Sequence, residues 1–145
     1  MKFRFETILK LRKNKEVLAQ KILATVNVHY LKQQENLQFM ESVEANSKQN
    51  LNQNMEHGTN IPTLILYDNF FRGVRAQETR QNKVIKEVAT QLELKRAELA
   101  EAMARRRVME ILKERDLLAL NTAQAKRETA LMDEVGSTQW RLNSL

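Results

Sequence analysis

Three glycines and one proline in 145 residues leave this chain few places to turn. Sheets depend on turns, and turns depend on residues that accept a positive φ or come with φ already fixed. A sandwich, a barrel or a series of βα units would need such punctuation about every 8–12 residues. Here it is gathered at "MEHGTNIPT" (55–63), with a weaker mark at Gly136 in "EVGSTQW". The remainder is rich in Gln, Leu, Ala, Lys and Glu, with 29 % charged residues and 6 % aromatics, a balance that suits long helices. The expected fold class is all-α: two long helices in an antiparallel coiled-coil hairpin, forming a single elongated domain over residues 1–145.

The breaks set the expected boundaries. Gly58 suits the position just past a helix end. Pro62 lacks an amide donor and disfavours helical geometry at Ile61. Asp68 can cap a helix starting near Asn69, and Gly73 weakens a helix interior. The first helix is therefore expected over about 4–57, a bend holding a short turn or short helix over about 58–73, the second helix over about 74–135, and a tail over 136–145.

Apolar spacing supports the pairing. Ile85, Val88, Leu92, Lys95, Leu99, Ala102, Arg106 and Met109 follow one another at alternating steps of three and four, the narrow seam of a coiled coil. In the first half Leu11, Leu18, Ile22, Val26 and Tyr30 step by seven, four, four and four, and Leu37, Met40, Leu51 and Met55 continue the stripe with polar gaps. Repeated steps of four imply a local insertion that relaxes the supercoil.

Such a hairpin encloses no cleft, and the residues for chemistry are missing too. There is no cysteine, so no disulfide, thiolate metal site or cysteine nucleophile, which fits a reducing compartment. His29 and His57 lack partners at ligand spacing, and His29 is expected as a partly buried seam residue. No Ser–His–Asp grouping, phosphate loop or metalloprotease motif occurs. The chain is read as a non-enzyme with no catalytic residue, metal or cofactor. A secretory signal is not expected, because the longest apolar run in "MKFRFETILKLRKNKE" is two residues, nor is a membrane span, because no segment approaches about 20 apolar residues.

A formal charge of +6 points to acidic partners. Arg105, Arg106, Arg107, Lys113 and Arg115 could meet phosphates, but neighbouring helical residues point apart and Glu110 and Glu114 lie among them. The amphipathic start, with Phe3, Phe5, Ile8, Leu9 and Leu11 among basic residues, suits either an anionic membrane or an acidic protein surface. Tyr67, Phe70, Phe71 and Val74 in "YDNFFRGV" fall at i, i+3, i+4 and i+7, one helical face. That face could plug the bend against Leu51 and Met55, or serve as a docking patch, since aromatics are enriched at interface hot spots.

Three stretches taken in order, "MKFRFETILKLRKNKEVLAQKILA", "YDNFFRGVRAQ" and "ELAEAMARRRVMEILKERDLLAL", resemble the flagellar export protein FliJ family. The resemblance implies a component of the flagellar type III export apparatus, cytoplasmic and peripheral at the inner face of the cell membrane. It implies an antiparallel coiled coil like a rotary-ATPase stalk, whose end carrying both termini enters the hexameric export ATPase. It further implies contact with the cytoplasmic domain of the export gate protein FlhA, and a link to escort of export chaperones. On that resemblance Phe3, Phe5, Leu9 and Arg12 face the ATPase. Tyr67, Phe70, Phe71, Val74, Gln77 and Gln81, with Met40 and Val43 of the first helix, face the gate. The rival readings are a basic helical nucleic-acid-binding protein and the equivalent stalk of a virulence type III secretion system.

Overall fold

A computed structural model describes residues 3–145. It contains α1, Glu6–Glu56, and α2, Ile61–Asn143, and no strand among the described residues. The two helices fold back as a hairpin. By contact the chain divides into one unit of Val17–Ala100 and another of the residues up to Glu16 together with Glu101–Leu145. Within each unit the cross-helix pairs run in opposite directions. Asn54–Tyr67 and Gln33–Gln81 do so in the first unit, and Glu16–Arg106 and Glu6–Lys113 in the second.

The turn is tighter than the sequence suggests. α1 closes on Gly58, whose φ of 85° is a left-handed conformation that a side chain would strain. Asn60 then caps α2: its Oδ1 accepts the Thr63 amide at 3.0 Å and the Thr63 hydroxyl at 2.6 Å. Pro62 falls in the first turn, where a missing N–H leaves no helical hydrogen bond unmade, so Ile61 opens the helix instead of being excluded from it. The expected bend over 58–73 therefore shrinks to a few residues before Ile61. Asp68 lies inside α2 and pairs with Arg72 at 3.2 Å instead of capping. Helix also continues through Gly73 and Gly136 to Asn143. A single glycine costs about 1 kcal/mol in a helix interior. Next to Gly73 that cost is offset by burial of Phe71 and Val74 against α1.

Each helix presents one unbroken heptad line. On α2 the line runs through Leu64, Tyr67, Phe71, Val74, Glu78, Gln81, Ile85, Val88, Leu92, Lys95, Leu99, Ala102, Arg106 and Met109, each buried or half-buried. The seam predicted from Ile85 to Met109 thus extends back to Leu64. On α1 the line is Leu9, Arg12, Glu16, Ala19, Leu23, Val26, Tyr30, Gln33, Leu37, Met40, Glu44, Ser47 and Leu51. This corrects the expected first-helix stripe. Leu11, Leu18 and Ile22 are 51, 58 and 38 % exposed, His29 is exposed, and no insertion interrupts the heptads. The regular line passes through Arg12, Glu16, Gln33 and Glu44, so a search for apolar residues drifts off it onto outer leucines.

Candidate partner-binding surfaces

The aromatic cluster divides between seam and surface. Tyr67, Phe71 and Val74 follow the seam, while Phe70 sits one position to its side. Phe71 and Val74 are buried. Tyr67 is half-buried with its ring 6.2 Å from that of Phe71, and its hydroxyl accepts a hydrogen bond from Asn54 Nδ2 at 3.1 Å. Phe70 meets Phe71 edge-on at 5.8 Å and remains 43 % exposed. Ser47, Leu66, Tyr67 and Phe70 border a shallow notch beside the seam. Gln77 is exposed, and Met40 and Val43 are half-buried on α1. Gln81 is buried, its Nε2 lying 2.8 Å from both the backbone oxygen and the side-chain oxygen of Gln33. Of the residues assigned to a gate-facing patch, Phe71, Val74 and Gln81 are therefore interior. Phe70 and Gln77 stand outside, with Leu66 an outward neighbour that sequence reading passed over. Its signal was the step of four from Leu66 to Phe70.

The amino-terminal residues divide similarly. Phe3 and Phe5 are half-buried and meet edge-on at 5.9 Å, and the Arg4 guanidinium lies 5.5 Å from the Phe5 ring centre. Phe3, Arg4 and Glu6 form one wall of an open groove whose other wall is Lys113, Asp116, Leu117 and Leu120 of α2. Leu9, at 1 % exposure, belongs to the seam, and Arg12 is a half-buried seam residue.

Four of the five cations in the basic run of α2 are paired with carboxylates among the described residues, the exception being Arg115. Arg105 pairs with Glu101, and Arg107 reaches Glu110 at 3.5 Å and Glu114 at 3.3 Å. Arg106 bonds Glu16 across the seam and Glu110 at 2.7 Å along its own helix. These contacts raise the pKa of Arg106, through Glu110 first and then Glu16, while Arg106 holds the Glu110 carboxyl below its ordinary range. Lys113 meets Glu6 at 3.1 Å. A phosphate backbone would have to compete with a carboxylate for each of these cations.

One further polar layer escaped sequence reading, because its residues look like ordinary solvated charge. Glu44 of α1 and Glu78 of α2 both occupy seam positions, close enough for a hydrogen bond when one of them is protonated. Two ionised carboxylates have no proton to share, and Glu78 Oε1 is buried without a donor. The pair is satisfied when Glu78 carries the proton. Accordingly the pKa of Glu44 is lowered by the bond from Glu78 and by Lys48 at 3.2 Å, with Arg75 at 3.7 Å adding to the effect. That of Glu78 is raised, chiefly by the bond to Glu44 and then by burial. Among the described residues no group of His, Cys, Asp and Glu could hold a metal ion, and no helix is long and apolar enough to cross a membrane.

Comparison with known proteins agrees with this architecture. The family model for the flagellar FliJ protein matches residues 1–144. The chain belongs to the FliJ family. That membership associates it with a type III protein-export apparatus. Among solved structures this FliJ-family chain is similar to a YscO homolog from Chlamydia trachomatis, with a TM-score of 0.58 and 18 % identity over 99 % of this chain and 98 % of the other. At that identity the likeness concerns the fold. No match is found among curated proteins.

Proposed function

We propose that this chain is a non-enzymatic stalk of the flagellar type III export apparatus, held in the hexameric export ATPase and contacting the export gate protein FlhA. Export chaperones are further partners in this reading. The observation that carries it is the family match over residues 1–144. The ATPase-facing surface is the groove walled by Phe3, Arg4 and Glu6, with Phe5 beside it and Arg12 in the adjoining seam, where exposed basic residues of the first turns would steer the chain toward an acidic lumen. The gate-facing surface is narrower than the aromatic stretch suggests: Phe70 and Gln77 on α2, Val43 and Met40 beside them on α1, and Leu66 at the notch. Tyr67, Phe71, Val74, Gln81 and Leu9 support these surfaces from beneath.

Co-purification with the export ATPase, and faster ring assembly or turnover on adding the chain, are the expected results; no effect on either removes the stalk reading. Phe70→Glu should weaken gate binding at unchanged helicity, because its ring points away from the seam. Loss of helicity in that variant would instead make Phe70 a packing residue. The fold likeness to a YscO homolog keeps one variant of the reading open to test, the stalk of a virulence secretion system, which the neighbouring genes would distinguish.

A further inference from the structure

One seam position departs from its neighbours. Glu78 Oε1 is buried and has no hydrogen-bond donor. The charged groups around it are Glu41, Glu44 and Lys48 from α1 and Arg75 from its own helix. Both cations lean on Glu44: Lys48 Nζ lies 3.2 Å and Arg75 Nε 3.7 Å from the same oxygen, Glu44 Oε1. Among the described residues no cation pairs with Glu78. The charge is thus placed unequally, with Glu44 held as the anion and Glu78 left as the acid. While protonated, Glu78 donates to Glu44 and both carboxyls are satisfied. Once that proton passes to water, two anions face each other in a half-buried seam and the donor between them is gone. Hydrating the buried Glu78 oxygen then requires its side chain to leave the seam.

The place of the pair in the seam decides what that departure does. Away from the turn, Gln81 is tied to Gln33 by two contacts of 2.8 Å, and Val88 and Leu92 are buried beyond it. Toward the turn, α1 contributes half-buried Ser47 and Leu51, and the buried side chains are Phe71 and Val74 of α2. The cross-helix hydrogen bond between Asn54 and Tyr67 is exposed. A stretch with so few buried contacts opens at lower free energy than the seam behind it. Val74 stands one turn from Glu78, so movement of Glu78 disturbs the apolar content that holds this end. We propose that Glu44 and Glu78 form a one-proton latch on the turn end of the hairpin. With the proton in place the end is closed; its loss to solvent frees Glu78 and parts α1 from α2 between the pair and Gly58, while the seam through Val88 and Leu92 stays shut. Met40 and Val43 of α1 and Phe70 and Gln77 of α2 lie near the pair, so opening separates the two halves of the surface assigned above to the gate. The latch itself does not rest on that assignment.

Release comes as pH rises. Glu78 is raised above 4.5 by its bond to Glu44 and by burial, and Glu44 is lowered by Glu78 and Lys48, so between the two values the pair holds one proton. The full chain has no cysteine, so paired spin labels on introduced cysteines report the opening directly. Labels at Gln49→Cys and Asn69→Cys, both exposed positions, straddle the turn end, and labels at Gln20→Cys and Ala97→Cys straddle the seam behind it. Raising the pH from 4.5 should add a longer-distance population at the first pair, reversibly, and leave the second pair unchanged. Glu78→Gln and Glu44→Gln should each abolish the change at unchanged helicity, because an amide donates without a titrating proton. A first pair that does not respond to pH, a response that persists in either glutamine variant, or an equal response at the second pair would each overturn the latch. Every outcome is read on the chain alone, so none of them touches the stalk reading.

Discussion

Leu92 and Leu94 stand two residues apart on α2, 5 % and 50 % exposed, and the difference gives a direct test of the seam. Truncating each to alanine removes the same three carbons and changes helix propensity equally, so burial is what separates the two variants. At about 0.8 kcal/mol per buried carbon, Leu92→Ala loses about 2.4 kcal/mol of transfer free energy. The remaining cavity term is small, because a two-helix seam can close on one side, placing the total near the low end of about 2–5 kcal/mol seen for such truncations. Leu94→Ala should cost under about 0.5 kcal/mol, as surface changes generally do. Urea unfolding followed by far-ultraviolet circular dichroism measures both differences, and a chain of this size should lose roughly 5–10 °C in Tm for Leu92→Ala. Equal losses at the two positions, or a larger loss at Leu94, would refute the register.

The remaining predictions concern polar groups. Glu78 has its folded pKa raised above the ordinary 4.5, so its contribution is fully present below that value and lost as pH rises through the folded one; Glu44 is lowered, so its contribution is lost as pH falls below 4.5. Glu78→Gln keeps a donor to Glu44 at every pH, and should raise Tm at pH 7 by a few degrees while removing the decline above 4.5; an unchanged pH–Tm curve would count against the shared proton. Asn60→Ala deletes the cap of α2 and should cost about 1 kcal/mol in urea unfolding, whereas an unchanged midpoint would mean the turn holds without it. Arg106→Ala should destabilise strongly by stranding Glu16, which is 8 % exposed, while Glu16→Leu with Arg106→Leu should recover most of the loss. A double variant weaker than the single would show that the ion pair itself stabilises the seam.

The helical class and the single turn were legible because glycine and proline are so few. The position of the turn was legible in Gly58 and the "MEHGTNIPT" stretch that holds it. Its extent was not: Pro62, Asp68 and Gly73 each weaken a helix locally, but burial along a long continuous helix outweighs them. The seam was legible from Ile85 to Met109, where apolar residues dominate, and was lost wherever it passes through Glu16, Gln33, Glu44, Glu78 and Gln81. In isolation each resembles solvated surface, and only its partner across the seam explains it. The aromatic stretch was legible as one helical face, but not the line along which it divides, for a related reason. A four-residue apolar face looks continuous in sequence, yet a coiled-coil seam is narrow enough to take Phe71 and leave Phe70 outside.

The unlike polar couples inside the seam bear on how such a chain can change through descent. Glutamine on glutamine, acid beside acid and arginine on glutamate act as keys that each fit one opposite lock. Altering either half of a couple strands the other, so the two letters should drift together or stay put, while the leucines between them exchange freely for other aliphatics. Relatives should therefore differ most where the interior is oily and agree most where it is wet.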